Sequence, residues 1–114
     1  MENNHTSLDA VFHALADPTR RAVVQRLGGG PQAVSALAAP FAIGLPAFLK
    51  HLSVLEAAGL ITTEKVGRVR TCALAPGRLG LAAGWFADQQ TLWATRHAQL
   101  DTLIATLKGQ TDDQ

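Results

Sequence analysis

The chain has one cysteine (Cys72), one methionine and no tyrosine among its 114 residues. A lone cysteine closes no intrachain disulfide, which excludes a disulfide-stapled scaffold and argues for a reducing compartment. No window approaches the roughly 18 consecutive apolar residues of a membrane-spanning helix. The opening MENNHTSLD shows no basic stretch followed by an apolar run, so no secretory signal is read there. A cytoplasmic location and no membrane partner are expected. Charge is also sparse: 17% of residues, with a net charge of +1, so the total points to no partner. One cysteine, four histidines and scattered carboxylates assemble no nucleophile, acid and base, which argues against an enzyme. What is present is a 47% hydrophobic composition, enough for a single folded domain spanning 1–114.

Divided along the chain, the charge becomes informative. Residues 1–43 balance Arg20, Arg21 and Arg26 against Glu2, Asp9 and Asp17. Residues 44–78 set Lys50, Lys65, Arg68, Arg70 and Arg78 against only Glu56 and Glu64, an excess of +3. Residues 79–114 carry Arg96 and Lys108 against four aspartates, −2. A local positive surface is what a polyanion requires, whatever the total.

The spacing predicts a mainly helical fold with a small β-hairpin. Thr6-Ser7-Leu8-Asp9 reads as a capping box opening a helix with Leu8, Val11, Phe12 and Leu15 on one stripe. Asp17 caps a second helix near Pro18–Leu27, which Gly28-Gly29-Gly30-Pro31 ends. A short third helix is expected around Gln32–Ala39, and Pro40 stops it. In a fourth, GLPAFLKHLSVLEAAGL, Gly44 serves as N-cap and Pro46 fits only the first turn, while Gly59 supplies the left-handed C-terminal position. Leu60–Lys65 and Arg68–Leu74 form β-prone segments joined at Val66-Gly67. From Pro76-Gly77 onward Trp85, Phe86, Leu92, Trp93, Leu100, Leu103, Ile104 and Leu107 recur at helical spacings. A helix of about 28 residues extends roughly 42 Å, more than so small a domain covers, so part of its stripe seeks another chain.

A short helix, a brief turn and a second helix constitute a helix-turn-helix, and the trailing hairpin makes it winged. The expected spans are about 32–58 for the helix-turn-helix, 60–75 for the wing and 78–108 for the terminal helix. If Phe48, Leu52 and Leu55 face the core, then Pro46, Ala47, Leu49, Lys50 and His51 lie toward the outside, near the helix N-terminus. In such motifs that region enters the major groove and meets base edges. Lys50 reaches a phosphate or a guanine acceptor in this reading. Lys65, Arg68 and Arg70 on the wing grip backbone or minor groove, Arg68 and Arg70 sharing strand parity.

Phe12-His-Ala-Leu-Ala-Asp-Pro-Thr-Arg-Arg21 resembles the FxALADPTRR opening of the ArsR-type winged-helix repressors. The resemblance continues through Pro46-Ala47, Lys50-His51-Leu52, Val54-Leu55-Glu56-Ala57-Ala58-Gly59-Leu60 and Gly67-Arg68-Val69-Arg70, and covers roughly 8–107. It implies a homodimeric DNA-binding repressor on a dyad-symmetric promoter operator, often autoregulated, belonging to the branch without metal-binding cysteines. The first and last helices would hold the dimer, here through Leu8, Phe12, Trp85, Leu92, Trp93, Leu100 and Leu103. Two positions depart from the family pattern, which commonly has Ser at Gly44 and at Leu49. Gly still caps a helix at a cost of a few tenths of a kcal/mol. Leu49 cannot hydrogen-bond a phosphate, although it can touch a thymine methyl.

No cofactor is expected. Where metal-sensing relatives carry Cys-x-Cys, this chain has Val34-Ser35-Ala36-Leu37-Ala38, and Asp88-Gln89-Gln90 lacks the histidine of the other family site. His97 and Asp101 stand four apart, two ligands where zinc needs three or four. Cys72 is read as a small half-buried hydrophobe, and Arg20 and Arg21 as pairing with Asp9 and Asp17. The tryptophans are read as packing residues, with a small-molecule effector left unspecified. A second reading keeps the winged fold but gives the exposed Leu49 a protein partner, as an interaction or antirepressor module.

Overall fold

The computed structural model describes residues 4–112. In chain order the elements are α1 (Asn4–Leu15), α2 (Pro18–Leu27), β1 (Gln32–Ala33), α3 (Val34–Ala38), α4 (Leu45–Ala57), β2 (Ile61–Val66), β3 (Val69–Leu74) and α5 (Pro76–Asp112). The chain divides into two compact units with the boundary between Ala82 and Ala83.

In the first unit α1, α2, α3 and α4 close over a three-stranded antiparallel sheet of order β1-β3-β2. Val11, Val23, Leu37, Phe48, Leu55, Leu60, Ile61 and Cys72 are fully buried and form the core. Phe48 lies 5.3 Å from Phe41 between ring centroids, in a tilted pair, so the recognition-type helix is anchored by an aromatic contact as well as by its leucines. The first turns of α5 contribute Leu79 and the buried Ala82 to the same core.

Local chemistry explains the boundaries. Asp17 accepts the Arg20 backbone N–H at 3.1 Å and caps α2, whose Pro18 needs no partner in the first turn. At the end of α4, Gly59 N–H donates to the Glu56 carbonyl at 2.9 Å and Leu60 N–H to the Leu55 carbonyl at 3.0 Å. This is a Schellman closure, and Gly59 takes the φ of +77° it demands. The hairpin turns at Gly67-Arg68, with Gly67 at φ +63°, the pattern of a type II′ turn with glycine in first place.

Four expectations change. Helix α1 begins at Asn4, so Thr6 lies inside it rather than at a cap. The third helix shortens to Val34–Ala38, because Gln32 and Ala33 extend and pair with Cys72 and Thr71 of β3. The wing strands sit at 61–66 and 69–74, and Arg68 is a turn residue, so it shares no strand parity with Arg70. Finally, α5 spans 37 residues rather than about 28.

The second unit is the remainder of α5. Its Trp85, Phe86, Leu92, Trp93, Leu100, Leu103, Ile104 and Leu107 are all exposed. At about 100° per residue they fall within an arc of about 120°. Thr91, Thr95, Thr102 and Thr106 each donate their hydroxyl to the carbonyl four residues earlier, at 2.9–3.1 Å. No helix is long and apolar enough to cross a membrane among the described residues.

Candidate nucleic-acid interface

Helix α4 buries Phe48, Leu52 and Leu55 and leaves Leu45, Pro46, Ala47, Leu49, Lys50 and Ser53 exposed. The outward side of its first two turns is therefore exposed. Gly44 occupies the N-cap in extended conformation with no side-chain cap bond. Leu45 borders a shallow groove with Ala33, Val34, Ser35, Arg68, Val69 and Arg70, which brings the helix start beside the wing.

The wing concentrates charge. Lys65 stands directly across the ladder from Arg70, so both cations share one face of the hairpin, and both are exposed. Like charges directly opposite destabilise a sheet, and an anion seated over them removes that penalty. Arg68 projects from the turn between Val66 and Val69, both exposed. The pairing that matters on this face is thus Lys65 with Arg70; hairpin register identifies it, and counting parity from Arg68 misses it.

His51 differs from its expected outward placement. Its Nδ1 lies 3.2 Å from the Arg20 guanidinium and 3.7 Å from the Asp17 carboxylate. Arg20 simultaneously donates to the carbonyls of Ala14 at 2.7 Å and His13 at 3.1 Å. Arg21 donates to the Leu15 carbonyl at 2.8 Å. Both arginines thus close the C-terminal end of α1, where unpaired carbonyls and the helix dipole favour a cation. The expected pairing with carboxylates gives way to this, although the Arg20 N–H does bond Asp17. That bond, together with the charges of His51 and Arg20 and against some desolvation, holds the Asp17 carboxyl below the usual carboxylate range. The cluster fixes α4 to α2 and α1, and so sets the attitude at which the exposed turns are presented. An arginine three residues beyond an N-cap was the one signal in the sequence that pointed to it.

Cys72 is fully buried under β3, deeper than expected. Burial, aided by Glu56, pushes its thiol up from the ordinary value, so it is a poor nucleophile. Among the described residues no three histidine, cysteine, aspartate or glutamate side chains gather as a metal would require. In the second unit His97, Trp93, Arg96 and Leu100 line a shallow depression.

With this geometry in place, known proteins supply the lineage. The chain matches the helix-turn-helix domain family over residues 15–64. It is 41% identical over 101 residues to an HTH-type transcriptional regulator of Mycobacterium tuberculosis, spanning 86% of this chain and 92% of that one. It is 34% identical over 61 residues to the transcriptional repressor SdpR of Bacillus subtilis, spanning 54% of this chain and 68% of that one. The crystal structure of an ArsR family transcriptional regulator superposes with a TM-score of 0.76 at 50% identity, covering 82% of this chain and 97% of the other. An exposed helix start flanked by a cationic wing, on a scaffold shared at this identity over nearly the whole length of a relative, places the chain in the ArsR family of winged helix-turn-helix, DNA-binding transcriptional regulators.

Proposed function

We propose that the protein is a homodimeric repressor that works in the cytoplasm by occupying a dyad-symmetric operator, including one at its own promoter. The observation that carries this reading is the outward N-terminal half of α4 beside three exposed wing cations, Lys65, Arg68 and Arg70. Residues 1–114 then act as one functional domain, with 32–58 as helix-turn-helix and 60–75 as wing. Gly44, Pro46, Ala47, Leu49 and Lys50 meet the major groove. Lys65, Arg68 and Arg70 hold the backbone or minor groove, and His51 contributes by keeping α4 in place. Four cations per subunit let a dimer neutralise about 6–10 phosphates, costing ~10³–10⁵ in affinity between 50 and 200 mM salt.

Dimerisation is inferred from the exposed apolar stripe of α5. Trp85, Leu92, Trp93, Leu100 and Leu103 are exposed in a single chain, and an apolar surface of that size is covered in stable proteins. Leu8 and Phe12, half-buried on α1, are assigned to the dimer interface as well. No cofactor takes part, and a small-molecule effector is left open. Footprinting the full-length protein on the DNA upstream of its own gene tests the reading. Two protected half-sites about 34 Å apart, or a small multiple, are expected. Absence of salt-dependent DNA binding, with tight salt-insensitive capture of a protein instead, overturns it in favour of an antirepressor or interaction module.

A further inference from the structure

The first two turns of α4 are poor in hydrogen-bonding groups. Gly44 has no side chain, Pro46 has no N–H, and Leu45, Ala47 and Leu49 are apolar. Leu45 is 54% exposed and Leu49 37% exposed, one helical turn apart on the same side. Lys50 is the single side-chain donor there that is fully exposed, since the His51 ring is half-buried with its Nδ1 held beside Arg20 and Asp17. A surface that presents one fully exposed donor to a major groove draws little of its sequence information from hydrogen bonds. The one apolar group that groove offers is the C5-methyl of thymine.

We propose that Leu49, with Leu45 one turn before it, reads thymine C5-methyl groups in each operator half-site, while Lys50 reads a neighbouring guanine. This rests on the DNA-binding reading above and deepens it to a base identity. The charge around the two leucines favours DNA over a protein partner as their occupant. Lys50 follows Leu49 directly, Arg68 and Arg70 line the groove that Leu45 borders, and two side chains fall far short of the roughly 1,000 Å² that a specific protein interface needs. Burying a methyl against leucine is worth about one CH₂ of transfer, close to fourfold in affinity per half-site and roughly 15-fold for a symmetric pair.

The test uses the full-length protein and a duplex selected from a random-sequence library at 100 mM salt. Thymine is expected at one or two fixed positions per half-site. Replacing those thymines by 2′-deoxyuridine, which removes only the methyl, is expected to weaken binding about 15-fold for one thymine per half-site, or about 200-fold for two, with an unchanged salt slope. The same replacement outside the half-sites should have no effect. Leu49→Ser is expected to reduce the difference between thymine and deoxyuridine at least about fourfold, and Leu45→Ser/Leu49→Ser to abolish it, with both variants still folded by thermal melting. Salt-dependent binding with no loss on deoxyuridine substitution refutes thymine reading and leaves the DNA-binding function standing. Recovery of no duplex at all refutes both together.

Discussion

Lys65 and Arg70 face each other across the hairpin, so the isolated fold carries a like-charge repulsion, which DNA would relieve under the proposed function. Replacing Lys65 by Thr separates the two roles of that cation. The substitution removes a like-charge cross-strand pair, worth roughly 0.2–1 kcal/mol, and installs a better strand former. For a domain of this size, stability should rise by that amount and the melting temperature by about 1–5 °C. On DNA the sign reverses. A dimer of the variant neutralises about two fewer phosphates, and at about 0.9 per phosphate the slope of log K against log salt becomes shallower by about 1.8. Relative to 1 M salt, affinity at 0.1 M is then about 60-fold weaker than for the parent. Thermal melting without DNA and anisotropy titrations of a labelled duplex from 50 to 300 mM salt measure the two halves. A lowered melting temperature, or an unchanged salt slope, refutes the assignment of this pair to phosphate binding.

Arg20→Met removes the donors that reach the Ala14 and His13 carbonyls and His51. It should cost about 2 kcal/mol in urea unfolding, and weaken DNA binding because α4 loses its tether; stability within a few tenths of the parent counts against the junction. For Asp17 the folded carboxyl titrates below its unfolded value. Its contribution is therefore complete above about pH 4 and is lost as pH falls through the lowered value. Asp17→Asn keeps a good cap but should show a flatter stability profile below pH 4, read by melting from pH 2.5 to 6. Native Cys72 should resist a thiol reagent at pH 7–8 and react only on unfolding in denaturant, since it is fully buried; rapid native labelling contradicts its placement in the core.

Element type along most of the chain, the positions of Pro18, Pro46, Gly59 and Gly67, and the alternation of Phe48, Leu52 and Leu55 followed from residue identity alone. Capping, proline geometry, left-handed φ and helical periodicity act within a few residues and need no partner elsewhere. The concentration of cations in the middle third was equally legible, because charge is a property of composition. Three features depended on distant segments meeting. Two residues after Pro31 became a strand only because β3 had an open edge to offer them, and no two-residue pattern announces that. Lys65 and Arg70 became a pair through hairpin register, which is fixed by where Gly67 turns the chain. His51 left the exposed side for Arg20 and Asp17, since a half-buried ring settles where donors and acceptors from other helices converge. Local sequence thus determined which segments turn, coil and extend, while long-range packing decided which polar groups stay available to a partner, because hydrogen-bond satisfaction is settled among atoms that only the folded chain brings together.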